Sequence, residues 1–140
     1  MLTQLNTLLD KPDAGKLVLR LSFSIMMLFH GVHKLVSGIG PIVGMVQAHG
    51  MPAFVAWGVY IGEVVIPILL ILGILVRPAA LVLCINMLFA WLVLDPALFF
   101  TTTKVGAWGL EEIAVYFFAG LVIALIGGGK YTLIKNPALR

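Results

Sequence analysis

Long apolar runs alternate with short polar interruptions along the chain, and the length of the runs decides the class of fold. A helix needs roughly 17–25 predominantly apolar residues to cross a bilayer core. Runs of that length occur at Leu17–Val36, Ala53–Val76, Ala79–Leu98 and Ala107–Ile126. Helix is the expected conformation, because open strands in lipid leave backbone groups unpaired and the period-two alternation of a membrane barrel is missing. The pattern predicts an all-α integral membrane four-helix bundle, with residues 1–140 as one domain.

The interruptions differ in character. Residues 37–52, SGIGPIVGMVQAHGMP, are rich in glycine and proline and long enough to fold over the bundle. Arg77 and Pro78 are expected to form a tight turn in which Pro78 starts the third helix. The segment DPALFFTTTKVGAWG joins the third and fourth spans and is expected to dip into the membrane interface on Phe99 and Phe100.

Composition narrows the picture further. The chain is 61% hydrophobic and 11% charged, with a mean hydropathy of +1.12, too little charged surface for a soluble domain and no room for a separate catalytic one. The opening MLTQLNTLLDKPDAGK lacks a long apolar core followed by a small-residue cleavage motif, so the first span is expected to be retained. Cys84 is the only cysteine, which excludes an intrachain disulfide or a CxxC pair. A redox role therefore needs a bound cofactor, a quinone-like substrate or a partner.

Charge gives the orientation. Lys11, Lys16, Arg20, Arg77, Lys130, Lys135 and Arg140 fall on one side of the predicted spans, against Lys104 and Lys34 on the other. Both termini are thus expected in the cytoplasm, in a multi-pass protein of the inner (plasma) membrane. The partner implied by this basic pattern is the lipid bilayer, with no nucleic acid. Trp57, Trp91 and Trp108 gather toward the outer half, as an interfacial belt would.

Inside the spans, the stretch MMLFHGVHKLVSG at 26–38 places two histidines and a lysine in an apolar segment. At 3.6 residues per turn, Arg20, Met27, His30, Gly31 and Lys34 share one stripe, while His33 points elsewhere. Lys34 either snorkels to the outer interface or faces a polar site. Glu63 lies ten residues into the second span, too deep for a short carboxylate to snorkel. It is either half of a structural ion pair or a functional group. Pro67 has no N–H to offer the carbonyl of Glu63, so the helix is expected to be kinked and locally polar there.

Glu111 and Glu112 open the fourth span and point about 100° apart, so one is expected to face the bundle. An acidic pair in a first turn also suits the helix dipole. Asn86 suits an interhelical hydrogen bond, and Cys84 suits packing. If these groups share a cavity, carboxylates outnumber the fixed cation. Either His30 is then charged, or a carboxyl, Glu63 foremost, holds a proton. His30 and His33, three apart on diverging sides, make no metal motif, and Gly127-Gly128-Gly129-Lys130 reads as helix termination rather than a P-loop.

In order and spacing, several of these features resemble the DoxX family of small four-helix membrane proteins, over roughly residues 16–134. They are Arg20, FHGVHKL at 29–35, Gly62-Glu63, LGILVRPAALVLCINML at 72–88, Glu111 and GGGKYTL at 127–133. The family's glycine-proline-glycine ending is Gly127-Gly128-Gly129 here. The resemblance favours Glu111 over Glu112 by its distance from that ending. It implies subunits of quinol-linked oxidases or thiosulfate-to-quinone oxidoreductases, proteins linked to quinone or thiol stress, or membrane assembly factors.

The leading expectation is a quinone- or quinol-interacting redox subunit that works with a redox partner protein. Its outer-half pocket is lined by His30, Lys34, Glu63, Glu111 and Asn86, with aromatic walls from Trp57, Tyr60 or Trp108. His30 and Glu63 exchange protons and Lys34 stabilises quinol oxygen charge, while Arg20 and Arg77 are structural polar groups. No cofactor is bound covalently; quinone is the candidate ligand. The alternative is a non-catalytic scaffold or assembly subunit whose polar cluster holds helices or a partner together. A small-solute pathway, the third option, would need a homo-oligomer to widen a four-helix conduit.

Overall fold

The computed structural model describes residues 1–136, all-helical but for an isolated bridge between Thr102 and Trp108. Arg140, counted above among the basic residues of one side, lies outside the described residues. Six helices follow in order: α1 (Leu2–Leu9), α2 (Pro12–Ser37), α3 (Gly40–Ala48), α4 (Ala53–Leu72), α5 (Val76–Leu94) and α6 (Glu111–Ile126).

Three of these, α2, α4 and α5, are long and apolar enough to cross a membrane. Helix α6 is as apolar but has 16 residues, about 24 Å at the helical rise against a core of about 30 Å. It begins at Glu111 rather than Ala107 because the preceding residues are spent elsewhere. Thr103 and Ala107 close a turn around Gly106, which adopts φ 83°, and Thr102 pairs with Trp108. Helix α2 starts earlier than its apolar run, with Pro12 and Asp13 in its first turn, where neither a missing N–H nor a negative charge is unfavourable.

The turn between α4 and α5 lies at Gly73–Leu75 and not at Arg77-Pro78. Gly73 takes the left-handed conformation (φ 73°, ψ 42°), and α5 starts at Val76. Pro78 is then third in the helix, where an amide has no intrahelical acceptor to lose. Arg77 gains a function from this register. Its Nη1 donates to the carbonyls of Ala124 and Leu125 at 2.8 and 3.0 Å, satisfying the last turn of α6. Helix α5 ends at Leu94 rather than Leu98, because Asp95 accepts from the Ala97 amide and opens a 3₁₀ turn over Pro96–Phe100. Phe99 there packs against Trp91, Phe100 and Trp108.

Helices α2, α4, α5 and α6 share one core, built from Met27, Ile66, Leu70, Leu83, Met87, Tyr116 and Ile123 among others. Small residues bring the helices together where no hydrophobic force in lipid would. A Cβ at Gly31 of α2 would run into the carbonyl of Glu63, and one at Gly120 of α6 would meet the Cys84 sulfur of α5. At one end Arg20, 1% exposed, donates through Nη1 to the Leu70 carbonyl at 2.8 Å and through Nη2 to the Tyr131 carbonyl. The same end is closed by Lys130 N–H donating to Asp13 Oδ1 and Leu133 N–H donating to the Leu72 carbonyl. The start of α2, the end of α4 and the segment after α6 are thereby fastened together.

Candidate functional site

Helix α4 is irregular where it matters. It opens as a 3₁₀ turn, Ala53–Trp57, and passes at Ile61–Val65 into a π-turn that the Ile66 amide closes on the Ile61 carbonyl five residues back. Pro67 follows at once. A regular α-helix would bring residue 67 to the carbonyl of Glu63, and proline has no N–H for that bond. Widening the turn ahead of the proline accommodates the defect, as π-turns at functional positions do. Gly62 and Glu63 thus sit on the widened turn, both buried. The absent side chain of Gly62 leaves room for the Asn86 amide of α5, which a Cβ would strike.

Glu63 is turned toward α2, where its Oε2 accepts from Lys34 Nζ. The side chains of the pair are 23% and 8% exposed, for Lys34 and Glu63 respectively. One turn before Lys34 on the same helix, His30 lies 3.5 Å from Glu112 of α6 through its Nε2, and its ring meets that of Tyr116 edge to face at 5.9 Å. This second pair is more open, with 44% of the His30 and 75% of the Glu112 side chain accessible. Together the two pairs grade from an open mouth to a closed interior.

They border a cavity of about 250 Å³ between α2, α3, α4, α5 and α6. His30, Lys34, Glu63, Asn86 and Glu112 form its polar side. The rest is apolar, with Met27, Met45, Met87, Phe89, Val93 and Tyr116 prominent. Helix α3 supplies Ile42 and Met45 to this wall and is held by a separate cluster of Ile39, Val46, Ala56 and Val93. The Gly/Pro-rich segment therefore does fold over the bundle, as a helix. The volume falls just below the range of about 300–1,000 Å³ usual for ligand sites, which suits a single ring or a small headgroup.

Of the residues singled out from sequence, His30, Lys34, Glu63 and Asn86 line this cavity. His33 is exposed on another face of α2. Glu111 does not line it: Glu112 does, because the loop of residues 101–110 sets where α6 begins and so which of two carboxylates 100° apart turns inward. The proposed aromatic walls also move. Trp57 is 65% exposed and meets Tyr60 edge to face, Trp108 is tied by its Nε1 to the Phe99 carbonyl at 2.7 Å, and none of the three lines the cavity. Phe89 and Tyr116 are the aromatic side chains at the cavity. A sequence signal for Glu112 did exist: Glu112, Tyr116, Ala119 and Ile123 form one helical stripe, and its last three members are buried.

Glu111 is outside the cavity lining, which leaves Glu63 with Lys34 and Glu112 with His30; the two carboxylates still outnumber the one fixed cation and match Lys34 and His30 one to one. Arg20 and Arg77 lie apart from the cavity and give their hydrogen bonds to backbone carbonyls. The amide nitrogen of Asn86 is buried and finds no hydrogen-bond partner among the described residues.

The DoxX family model matches residues 15–96, from the first turns of α2 to the end of α5. The chain belongs to the DoxX family. This DoxX protein carries four of its five polar cavity residues within the matched segment, and Glu112 beyond it. Membership and the three long apolar helices make it a multi-pass membrane protein, of a family often linked to redox or quinone-related systems. Comparison with curated proteins and with solved structures gives no match.

Proposed function

We propose that this DoxX protein is an inner-membrane subunit of a quinone- or quinol-linked redox system, with four spans and both termini in the cytoplasm. One observation carries the reading: an apolar cavity whose single polar side holds an ion pair, a histidine–carboxylate pair and an amide. A quinone ring matches such a cavity, since its body is apolar and its oxygens take hydrogen bonds and, on reduction, protons. His30 and Glu63 exchange those protons, Lys34 stabilises charge developing on a ring oxygen, and Glu112 connects His30 to the open mouth. A partner redox protein supplies the electrons.

The test is titration of the purified protein in nanodiscs with a short-chain quinone and its quinol, followed by tryptophan fluorescence. Saturable binding that weakens about tenfold or more in Glu63→Gln supports the reading, consistent with the loss of one charge-assisted hydrogen bond. Absence of saturable binding by either form sinks it. A second reading, a non-catalytic scaffold, draws on Arg20 and Arg77, which donate to backbone carbonyls near the ends of α4 and α6 and of the segment after α6. Co-purification of one partner by a protein that binds no quinone favours that reading.

A further inference from the structure

Among the described residues helix α1 stands apart from the core: none of its residues is buried, and Leu2, Leu5, Leu8 and Leu9 are 48–72% exposed. At 100° per residue these four leucines fall within one third of the helix circumference, and Thr3, Gln4, Asn6 and Thr7 occupy the opposite side. Lys11 and Lys16 follow directly, on either side of the point where α2 begins.

Tertiary structure adds a second strand of the same chemistry from the far end of the chain. Lys130 is bound through its N–H to Asp13, and Gly129 lies against the Lys16 side chain. The segment 130–135 is therefore anchored beside the start of α2 at Lys130 and beside the end of α4 at Leu133, at the same end of the bundle as the α1–α2 junction. It presents Lys130 over the Tyr131 ring at 5.1 Å, with exposed Tyr131, Leu133 and Lys135. Four lysines face two aspartates at this end, and Asp13 already accepts from the Lys130 amide.

We propose that α1 and residues 130–135 form a composite collar that lies in the bilayer interface and binds the anionic phosphate headgroups of the adjoining leaflet. The leucine face and Leu133 enter the acyl boundary while the lysines meet lipid phosphates. An eight-residue helix is too short to bind a membrane well alone, but the two-residue link to α2 makes its association intramolecular. The inference stands independently of any ligand in the cavity.

The experiment is amide hydrogen exchange of the full chain in nanodiscs of phosphatidylcholine alone and of phosphatidylcholine with phosphatidylglycerol. Exchange over residues 2–9 and 130–135 is expected to slow several-fold when the anionic lipid is present. High salt should erase the difference, and Lys11→Gln with Lys16→Gln should shrink it roughly fivefold or more. Leu5→Asn with Leu9→Asn, both at exposed positions, should restore fast exchange in α1 while leaving the spans protected. Equal exchange in the two lipids, whether fast or slow, overturns the proposal, as does a difference that survives both high salt and the lysine substitutions.

Discussion

Lys34 and Glu63 form the most enclosed ion pair at the cavity, and the sequence pointed to each for different reasons. Glu63 was legible because a short carboxylate at that depth has no route to water. Lys34 was ambiguous, since its long side chain reaches either the interface or a partner, and only the approach of α2 to α4 at Gly31 decides for the partner. Removing one member strands the other charge, at a cost of about 3–5 kcal/mol for a buried pair. Glu63→Gln and Lys34→Met should each lower the melting temperature in detergent, and the double variant should recover a large part of the loss. Additive losses would show that the pair does not act as a unit. Glu112→Gln, at a far more exposed site, should change stability by no more than about 0.5 kcal/mol. For Glu111 and Glu112 the sequence carried conflicting signals, the family resemblance favouring the first and the Glu112–Tyr116–Ala119–Ile123 stripe the second, and the register of the loop before α6 settles between them.

Among the helices, α4 departs furthest from a regular one. Pro67 predicted a kink, and the structure answers with a π-turn that carries Gly62 and Glu63 toward α5 and α2. Pro67→Ala restores an amide that can bond to the Glu63 carbonyl, so the turn is expected to tighten into α-helix and rotate Glu63 away from Lys34. The outcome to look for is a several-fold loss of quinone affinity together with a lower melting temperature, because the rotation separates the buried pair. Unchanged affinity would mean that the π-turn does not depend on the proline. The other boundaries moved for local reasons of the same kind. Gly73 ends α4, Asp95 and Pro96 end α5, and the turn around Gly106 delays α6, so apolar composition alone overstated the third and fourth spans.

The molecule as a whole is fastened at the end where Arg20, Arg77, Asp13 and Lys130 lie, and this end holds most of the basic residues. Four crossings would put it in the cytoplasm, which cysteine labelling can check in a Cys84→Ala background. An impermeant maleimide applied outside intact cells should modify Lys104→Cys but neither Thr3→Cys nor Lys135→Cys; labelling at 135 would mean that α6 does not cross. The sequence by itself determined the all-helical membrane class, the family and the most deeply placed carboxylate, because each rests on hydrophobic length, residue order or depth, which are properties of a linear chain. Tertiary structure alone decided which carboxylate meets His30, that Phe89 and Tyr116 rather than the tryptophans wall the cavity, and that the segment 130–135 is anchored beside the start of α2 and the end of α4. Those outcomes depend on helix rotation and on contacts between residues far apart in the chain, which a local pattern does not fix by itself.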